Sequence, residues 1–329
     1  MLQAVTGADG FIGSHLVEAL VRRGRRVRAL AQYNSQGSWG WLDALPAEEL
    51  DEVEVVVGDV RDGEQMQSFC SGADTVYHLA ALIAIPYSYV APRSYVATNV
   101  EGTLNVLEGV RRAGVRRMVH TSTSEVFGTA LRVPIDEAHP RQGQSPYSAS
   151  KIAADSLVDA FHRSFGVPVV TLRPFNTYGP RQSARAVIPT VIAQIAAGER
   201  RIRLGALDPT RDFNYVTDTV AAFMAVADAE HDVVVGTDYN AGSGREITIG
   251  DLVHTIAEVM GVEVEVEADP ARLRPNASEV LRLLADGSKL HAATGWKPAT
   301  RLEDGLAATA DWFRDPENLA RYRPTAYAV

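Results

Sequence analysis

The chain has 329 residues, of which 46% are hydrophobic and 22% are charged, and its formal net charge at pH 7 is −9. This composition favours a folded protein with a large core, and the acidic charge argues against a nucleic-acid-binding protein. The single cysteine, Cys70, excludes a disulfide framework within one chain, and no apolar run is long enough to predict a membrane span. We therefore expect a cytoplasmic protein that binds neither nucleic acid nor membranes.

Short β-rich runs alternate with amphipathic helical runs through the first half of the chain. The strand-like runs are LQAV, RVRAL, VEVVV, TVYHLA, RRMVHTS and PVVTLRP. The helical runs are FIGSHLVEALVRRG, SYVATNVEGTLNVLEGVRRAG and SPYSASKIAADSLVDAFHRSFG, the last with Ser145 as the expected N-cap. Near-continuous apolar strands separated by helices predict an α/β fold with a Rossmann-type doubly wound parallel sheet.

The pattern changes after Pro174. The run FNTYGPRQSARAVIP is rich in proline, glycine and polar residues, which predicts a loop that leads into a helix. The later run DFNYVTDTVAAFMAVADA is expected to return to the sheet domain. We predict a dinucleotide-binding domain of residues 1–174 plus about 212–238, and an interleaved, smaller C-terminal α/β substrate domain of about 175–211 plus 239–329.

The segment TGADGFIG places Gly7, Gly10 and Gly13 between a predicted strand and a predicted helix. Glycines there allow a tight turn and bring the backbone close to a pyrophosphate, which then faces the N-terminus of the helix. This context predicts a dinucleotide-binding loop at the start of the sheet.

The signals that distinguish NAD from NADP are weaker. No acid stands near Gln32 to hold an adenosine ribose hydroxyl, and residues 31–36 include no arginine for a 2′-phosphate. Asp59 is a candidate for the adenine edge and equally for the cap of a turn. Trp39 and Trp41 either flank a ligand or pack under a long loop. We predict NAD and leave NADP open.

Tyr147 and Lys151 stand four residues apart on a predicted helix, so both side chains reach the same site. A lysine near a phenol is expected to lower the pKa of the phenol. The phenolate can then take a proton from a substrate hydroxyl while a hydride leaves the same carbon. Hydroxyls and a carboxylate follow a predicted strand in HTSTSEVFG, whose His120 is expected to be a buried core residue. No spacing predicts a metal site.

These motifs resemble those of the extended short-chain dehydrogenase/reductase family. The resemblance runs along nearly the whole chain and includes HLAA, TNVEGT, RPFNTYGPRQ and RDFNYVTD. These segments are similar to those of the NAD-dependent nucleotide-sugar epimerases and dehydratases. TSTSEVFG, SPYSASKIAAD and RPFNTYGPRQSARAVIPT look most like the sugar-nucleotide 4,6-dehydratases of legionaminic acid-type pathways.

The resemblance implies a role for each residue of the catalytic set. Thr123 would hydrogen-bond the sugar O4, Tyr147 would be the catalytic base, and Lys151 would orient the nicotinamide ribose. Glu125 would remove the proton from sugar C5. Ser124 stands where dTDP-glucose 4,6-dehydratases carry an aspartate that protonates the departing 6-hydroxyl. The donor of that proton is therefore left open between Glu125, Ser124 and a water.

The resemblance also implies contacts with the cofactor and the substrate. The expected cofactor-binding residues are Gly7, Gly10, Phe11, Ile12, Gly13, Asp59, Val60, Leu79, Ala80, Ala81, Asn99, Thr121, Tyr147, Lys151 and Pro174. The expected substrate-binding residues are Ser88, Tyr89, Thr123, Asn176, Arg185, Val187, Arg211 and Arg274. Arg211 and Arg274 would bind the diphosphate, which needs cations and hydrogen-bond donors. Arg185 is equally a solvated residue at the start of a helix.

A carboxylate beside sugar C5 distinguishes a dehydratase from an epimerase. Oxidation at C4 acidifies the C5 proton, which Glu125 can remove, whereas an epimerase only returns the hydride to the other face of the ketone. We predict an NAD-dependent 4,6-dehydratase, a lyase that retains the C5 configuration and acts on an NDP-hexosamine such as UDP- or GDP-N-acetylglucosamine. A 4-epimerase, a UDP-glucuronate decarboxylase and a non-catalytic dinucleotide-sensing protein remain alternatives. The resemblance also implies a homodimer.

Overall fold

The computed structural model describes residues 1–273, 275 and 278–324. The strands are Leu2–Thr6 (β1), Arg26–Gln32 (β2), Val53–Gly58 (β3), Thr75–His78 (β4), Arg117–Thr121 (β5), Val169–Pro174 (β6), Asn176–Tyr178 (β7), Arg201–Leu204 (β8), Thr210–Tyr215 (β9), Asp238–Ala241 (β10), Glu246–Thr248 (β11) and Glu265–Ala268 (β12). The helices are Phe11–Arg22 (α1), Ala47–Leu50 (α2), Gly63–Cys70 (α3), Ile85–Val90 (α4), Pro92–Tyr95 (α5), Gly102–Ala113 (α6), Pro146–Phe165 (α7), Val187–Ala196 (α8), Val216–Asp228 (α9), His231–Val234 (α10), Ile249–Met260 (α11), Ser288–Thr294 (α12), Leu302–Arg314 (α13) and Pro316–Leu319 (α14). Val96–Glu101 is a π-helical segment, and Gly40–Ala44, Ser124–Phe127 and Pro270–Arg272 are short 3₁₀ helices.

Among the described residues, seven strands form one parallel sheet in the order β3-β2-β1-β4-β5-β6-β10. The chain builds outward from β1 to β3 and then returns to place β4 on the other side of β1. Ligands bind at such a switch point, outside the carboxyl ends of the strands. The predicted Rossmann-type doubly wound parallel sheet is confirmed.

The central strands are buried on both faces, which explains their continuous apolar sequences. In β1, Val5 belongs to a core with Leu16 of α1 and Phe223 of α9. The preceding residue, Ala4, belongs to the opposite core with Val106 of α6. Successive side chains of a strand point to opposite faces, so one short strand contributes to both helical layers.

The local signals for helix ends are confirmed. Ser145 Oγ accepts a hydrogen bond from the Ser148 N–H, and Ser148 Oγ accepts one from the Ser145 N–H, which forms a capping box at the start of α7. Gly114 and Gly166 end α6 and α7 in the left-handed conformation, with φ of 63° and 67°.

The segment after Pro174 differs from the predicted loop. Asn176–Tyr178 forms strand β7, which pairs in parallel with β9 in a three-stranded sheet that β11 completes. The partner strand lies more than 30 residues further along the chain, so the local composition of a proline- and glycine-rich run does not reveal the pairing. Helices α8, α11 and α13 cover this part of the molecule around Ile192, Ile256 and Leu306.

The run that was expected to return to the sheet domain does so through α9, which packs in the same core as α1. Strand β10 then joins the main sheet beside β6. The exact division into two domains stays a prediction. Within the part of the chain described here, no helix has both the length and the apolar character needed to cross a bilayer.

Candidate active site

The glycine loop lies at the carboxyl end of β1 and is shaped for close approach. Gly7 has φ of 66°, and a Cβ atom there would lie 2.7 Å from the backbone nitrogen of Ala80. A Cβ atom on Gly13 would lie 2.0 Å from the carbonyl oxygen of Gly7. Gly10 is the N-cap of α1 and supplies no side-chain cap, so the first N–H groups of the helix face the loop. This backbone cradle fits a pyrophosphate.

The wall of the cradle is formed by the segment after β4. Thr6 Oγ1 accepts hydrogen bonds from the N–H groups of Leu79 and Ala80, each at 3.2 Å. Asn99 lies in the π-helical segment, where its Oδ1 accepts the N–H of Leu82 at 2.8 Å. The Nδ2 of Asn99 donates to Ser150 Oγ on α7 at 2.9 Å. The expected cofactor segment around residues 79–81 is therefore held against both the glycine loop and α7.

The remaining expected cofactor residues lie at the same edge of the sheet. Asp59 follows β3 and caps a turn by accepting the N–H of Arg61 at 2.9 Å, while Val60 is buried behind it. Phe11 and Ile12 begin α1, and Pro174 ends β6. Capping by Asp59, one of its two expected roles, is thus present.

Tyr147 and Lys151 share one face of α7, with 7% and 4% of their surfaces exposed. Lys151 Nζ donates a hydrogen bond to the carbonyl oxygen of Thr121 at the end of β5, at 2.6 Å. Burial lowers the pKa of Lys151 to about 8, although the nearby Asp155 carboxylate opposes this shift.

The expectation of a lowered Tyr147 pKa is wrong for this structure. Burial raises the pKa of Tyr147, and the hydrogen bond with Thr123 offsets only part of that effect. The Glu125 carboxylate raises the pKa of Tyr147 further. The physical reason is that the Lys151 ammonium is engaged by a backbone carbonyl, while the phenol lies away from water among Ile85 and other apolar residues.

The segment that carries Glu125 is a short 3₁₀ helix whose local sequence fixes its orientation. Thr123 is its N-cap, and Thr123 Oγ1 accepts the N–H of Glu125 at 3.2 Å. Val126 and Phe127 are fully buried in a cluster with Phe175. Glu125 is only half-buried, and its charge acts on Tyr147. The turn therefore holds a carboxylate near enough to the phenol for its charge to act on it.

Ser124, the fifth residue of the expected catalytic set, is 3% exposed. It is the first residue of the 3₁₀ helix, between the capping Thr123 and the half-buried Glu125. The side chains of Thr123 and Glu125 are thus more open to a ligand than that of Ser124.

A buried polar network lies directly beneath this site and was not predicted from the sequence. Asp155 is fully buried and accepts hydrogen bonds from Ser122 Oγ at 2.8 Å and from the Arg173 guanidinium at 3.1 Å. His120 Nε2 lies 3.1 Å from the same carboxylate, which confirms His120 as a buried residue. These contacts lower the pKa of Asp155 against the opposing effect of its burial. One signal in the sequence could have indicated part of this network: Lys151 and Asp155 stand four residues apart, on one face of the predicted helix.

The expected sugar-contact residues on α4 are differently placed. Ser88 is fully buried, and its hydroxyl donates to the carbonyl oxygen of Ile85 at 2.7 Å. Tyr89 is 38% exposed, and its hydroxyl contacts Ser278. Of this pair, Tyr89 has the more accessible side chain.

The other expected substrate-binding residues lie in β7, in β9 and around the start of α8. Asn176 begins β7, and Arg211 lies in the neighbouring strand β9, where it forms an ion pair with Glu279 at 3.1 Å. Val187 is the first residue of α8, and Arg185 is exposed just before it. Arg274 lies outside the described residues.

Trp41 packs against the end of the chain. Its ring centroid lies 5.6 Å from that of Trp312 and 6.4 Å from that of Tyr322. The Tyr322 hydroxyl donates to the carbonyl oxygen of Gln182 at 2.9 Å. Trp39 packs at the margin of the main core. In this structure both tryptophans have the packing role that the sequence left open.

The fold and the site together define a class of protein. A glycine cradle at the switch point of a parallel sheet, facing a tyrosine and a lysine on one helix, is a dinucleotide-dependent site of the short-chain dehydrogenase/reductase type. The chain belongs to the GDP-mannose 4,6-dehydratase family, whose profile matches residues 4–309.

Known proteins narrow the relationship further. A dTDP-glucose 4,6-dehydratase of Xanthomonas campestris pv. campestris is 35% identical, over 94% of this chain and 92% of that protein. A UDP-glucose 4-epimerase of Mycolicibacterium smegmatis is 32% identical, over 96% of this chain and 99% of that protein. The crystal structure of the dTDP-glucose 4,6-dehydratase DesIV from Streptomyces venezuelae, with NAD bound, has a TM-score of 0.86 and 30% identity, over 98% of this chain and 99% of that one.

These comparisons bear on three predictions. Membership of the extended family of nucleotide-sugar dehydratases and epimerases is confirmed. NAD is confirmed as the cofactor, in agreement with its presence in that neighbouring structure. The relatives include both dehydratases and an epimerase, so membership of the family does not by itself identify the particular reaction or substrate.

Proposed function

We propose that this protein is a nucleotide-sugar 4,6-dehydratase that retains the C5 configuration. The observation that carries the proposal is the half-buried carboxylate of Glu125, which a turn capped by Thr123 holds within electrostatic reach of the Tyr147 phenol. An epimerase has no step that uses such a carboxylate, whereas a dehydratase needs a base at C5. The kinship with dTDP-glucose 4,6-dehydratases supports the same reaction.

The substrate proposed is an NDP-hexosamine such as UDP- or GDP-N-acetylglucosamine. This choice rests on the resemblance of TSTSEVFG and RPFNTYGPRQSARAVIPT to the enzymes of legionaminic acid-type pathways. Arg211 and Asn176 are proposed to hold the diphosphate. Arg211 would have to exchange its ion pair with Glu279 for a phosphate oxygen when the substrate binds.

Bound NAD would supply the hydride acceptor for sugar C4, and the same hydride would return to C6. Tyr147 would take the proton of the C4 hydroxyl as its phenolate, a form that the positive charge of bound NAD would favour against the burial that raises its pKa. Thr123 would hydrogen-bond O4. Glu125 then takes the proton of C5, and the C6 hydroxyl leaves as water. When the hydride returns to C6, C5 must take a proton, which solvent would supply through Glu125 and which the proton released again by Tyr147 balances. The reaction is redox-neutral: one water is lost, and the product is a 4-keto-6-deoxy sugar.

We assign the protonation of the departing hydroxyl to Glu125 rather than to Ser124. Ser124 is only 3% exposed, whereas Glu125 is half-buried at the same turn. A carboxyl that has just received the C5 proton is also the stronger acid of the two. Glu125 would thus act first as a base and then as an acid.

The product of a small panel of UDP-, GDP- and dTDP-sugars tests the reaction. Mass spectrometry should show the loss of one water from an N-acetylglucosamine nucleotide without added reductant. An unchanged mass with inversion at C4 would indicate an epimerase, and loss of carbon dioxide from a uronate would indicate a decarboxylase. If the protein binds NAD but leaves every sugar nucleotide unchanged, it is a binding protein rather than an enzyme.

Replacing Glu125 tests the residue assignment. Glu125→Gln should lower the rate of dehydration by about 10²–10⁴-fold, because amide nitrogen and oxygen do not take the C5 proton. Hydride transfer at C4 should persist, and it can be followed by the absorbance of reduced nicotinamide after mixing with substrate.

Ser124→Ala is the matched control, since it changes the adjacent side chain of the same turn. It should retain most of the dehydration rate. Loss of dehydration in Ser124→Ala, with little effect in Glu125→Gln, would reverse the assignment.

A cytoplasmic homodimer stays a prediction. The proposed contact uses the helical segments around residues 94–113 and 147–165. Light scattering of the purified protein would give the oligomeric state directly.

A further inference from the structure

The end of the second strand of this chain lacks the acid that usually recognises the adenosine ribose in dinucleotide-binding folds. In dinucleotide-binding folds an acid at the end of the second strand accepts a hydrogen bond from the 2′-hydroxyl. Here β2 ends with Ala31 and Gln32, and the following Tyr33 is 75% exposed. Ala31 is fully buried and offers only a methyl group.

A carboxylate reaches the same place from the glycine loop. Asp9 stands between Gly7 and Gly10, and its Oδ2 accepts a hydrogen bond from the backbone N–H of Gln32 at 3.1 Å. The preceding residue, Ala8, donates its N–H to the carbonyl oxygen of Leu30 at 3.2 Å. The loop that fits the pyrophosphate therefore also delivers an acid to the end of β2.

The position of Asp9 is fixed from a third direction. The N–H of Trp41 donates to the carbonyl oxygen of Asp9 at 2.9 Å. Gly40 has φ of 61°, and a Cβ atom there would lie 2.6 Å from the same oxygen. The segment after β2 thus closes over Asp9, and Trp41 is itself packed against Trp312. These contacts hold the backbone of Asp9, and the Gln32 N–H holds its carboxylate. The side chain is therefore preorganised for a ligand.

The electrostatics of Asp9 favour a neutral hydrogen-bond donor as its partner. Asp9 is half-buried, and burial raises the pKa of its carboxyl, although the N–H groups of Gln32 and of Asp9 itself oppose the shift. Among the described residues no lysine or arginine forms an ion pair with it. A carboxylate without a neighbouring cation can accept a hydrogen bond from a hydroxyl group, and it repels a phosphate.

We propose that Asp9 selects NAD over NADP by accepting a hydrogen bond from the adenosine 2′-hydroxyl and by repelling a 2′-phosphate. Residues 31–36 contain no arginine that would compensate a phosphate. The acid that other dinucleotide-binding folds place on the second strand is supplied here by the middle of the glycine loop.

Competition between the two cofactors tests this selection. The full-length protein is equilibrated with equal concentrations of NAD and NADP, separated from free nucleotide and denatured, and the released cofactors are quantified by chromatography. The wild-type protein should hold NAD in large excess, and Asp9→Asn should reduce the ratio of NAD to NADP by about tenfold or more. The asparagine retains an oxygen for the Gln32 N–H, and circular dichroism would verify the fold.

Glu48→Gln is the control, because it removes one negative charge from an exposed position on the same segment, in α2. It should leave the ratio unchanged. An equal change in both variants would indicate a general effect of net charge and would overturn the proposal.

An NAD analogue without the adenosine 2′-hydroxyl gives an independent measurement on the wild-type protein. The wild-type protein should bind this analogue about tenfold more weakly than it binds NAD. The Asp9→Asn variant should bind the analogue and NAD with nearly equal affinity. The proposal would be overturned if the wild-type protein bound the analogue and NAD equally, or retained NAD and NADP equally. Either result would show that Asp9 does not recognise the adenosine 2′-hydroxyl.

Discussion

At the scale of single residues, Lys151 shows how the site is built from groups that water would otherwise stabilise. Its ammonium is buried, donates to the Thr121 carbonyl and lies near the Asp155 carboxylate. Asp155 is in turn held by Ser122, His120 and Arg173. We infer that this network holds the lysine in place at the cofactor edge, because a buried charge needs fixed partners.

The pKa of Lys151 predicts how stability depends on pH. Its pKa is about 8 in the folded protein, below the ordinary value of 10.5, so between these values the unfolded chain binds more protons than the folded one. The free energy of unfolding of the wild type, relative to Lys151→Met, should therefore rise by about 3 kcal/mol as pH increases across this window. Urea unfolding at several pH values measures it.

The exposed Lys297 provides a matched control for this experiment. Lys297→Met should leave the pH dependence of unfolding as it is in the wild type. A difference between wild type and Lys151→Met that stays flat or falls with rising pH would contradict the shifted pKa of Lys151.

At the scale of elements, the capping box of α7 connects the start of the helix to the position of the candidate catalytic residue Tyr147. Ser145 Oγ accepts the N–H of Ser148 at 3.1 Å, and Tyr147 lies within the same first turn. The cap therefore defines where the helix begins and how the phenol is directed. Its signal was readable from the sequence because capping is a contact between residues three apart.

Removing the cap should affect stability and activity together. Ser145→Ala should lower the free energy of unfolding by about 1 kcal/mol, since the Ser148 N–H in the first turn of α7 loses its acceptor. It should also lower kcat, because the first turn frays around Tyr147. Thermal unfolding and steady-state kinetics measure the two effects. Ser156→Ala, at an exposed position of the same helix, should lower neither, since alanine forms helices at least as well as serine; a similar loss there would show that the effect does not come from the cap.

At the scale of the whole molecule, an ion pair and a hydrogen bond join α1 to the segment between β7 and α8. The Arg181 guanidinium lies 2.9 Å from the Glu18 carboxylate of α1, and both side chains are largely buried, at 11% and 13% exposure. Arg181 has φ of 69°, an unusual conformation for a residue with a side chain. His15 on α1 also contacts the carbonyl oxygen of Pro180 at 3.0 Å.

Breaking this link should separate substrate binding from cofactor binding. Glu18→Gln should lower the free energy of unfolding by about 2 kcal/mol, because it leaves the Arg181 guanidinium largely buried without its carboxylate. It should raise the KM for the sugar nucleotide more than it weakens NAD binding, since the loop that moves leads into α8. Chemical unfolding and kinetics at saturating NAD measure this.

The exposed pair of Glu265 and Arg201 provides the comparison for that variant, with side chains 80% and 78% exposed. Glu265→Gln should cost well under 1 kcal/mol, because surface ion pairs are weak. If Glu18→Gln is no more destabilising than Glu265→Gln, the link between the two regions does not contribute to stability.

Four features could be predicted from the amino-acid sequence alone: the alternation of strands and helices, the glycine loop, the cap of α7, and the shared helix face of Tyr147 and Lys151. Each of these depends on contacts between residues a few positions apart, or on a periodicity that burial imposes on the chain. The turn that presents Glu125 was not predicted, although its cap is local, with Thr123 two residues before Glu125.

Four further features became apparent only from the folded structure: the raised pKa of Tyr147, the strand at residues 176–178, the network of Asp155 with His120 and Arg173, and the contact of Asp9 with the end of β2. Each joins segments that the sequence separates by many residues, or depends on how much water their packing removes. A linear pattern specifies which side chains are apolar or charged. Which of them meet, and with how much water left between them, depends on how the layers pack.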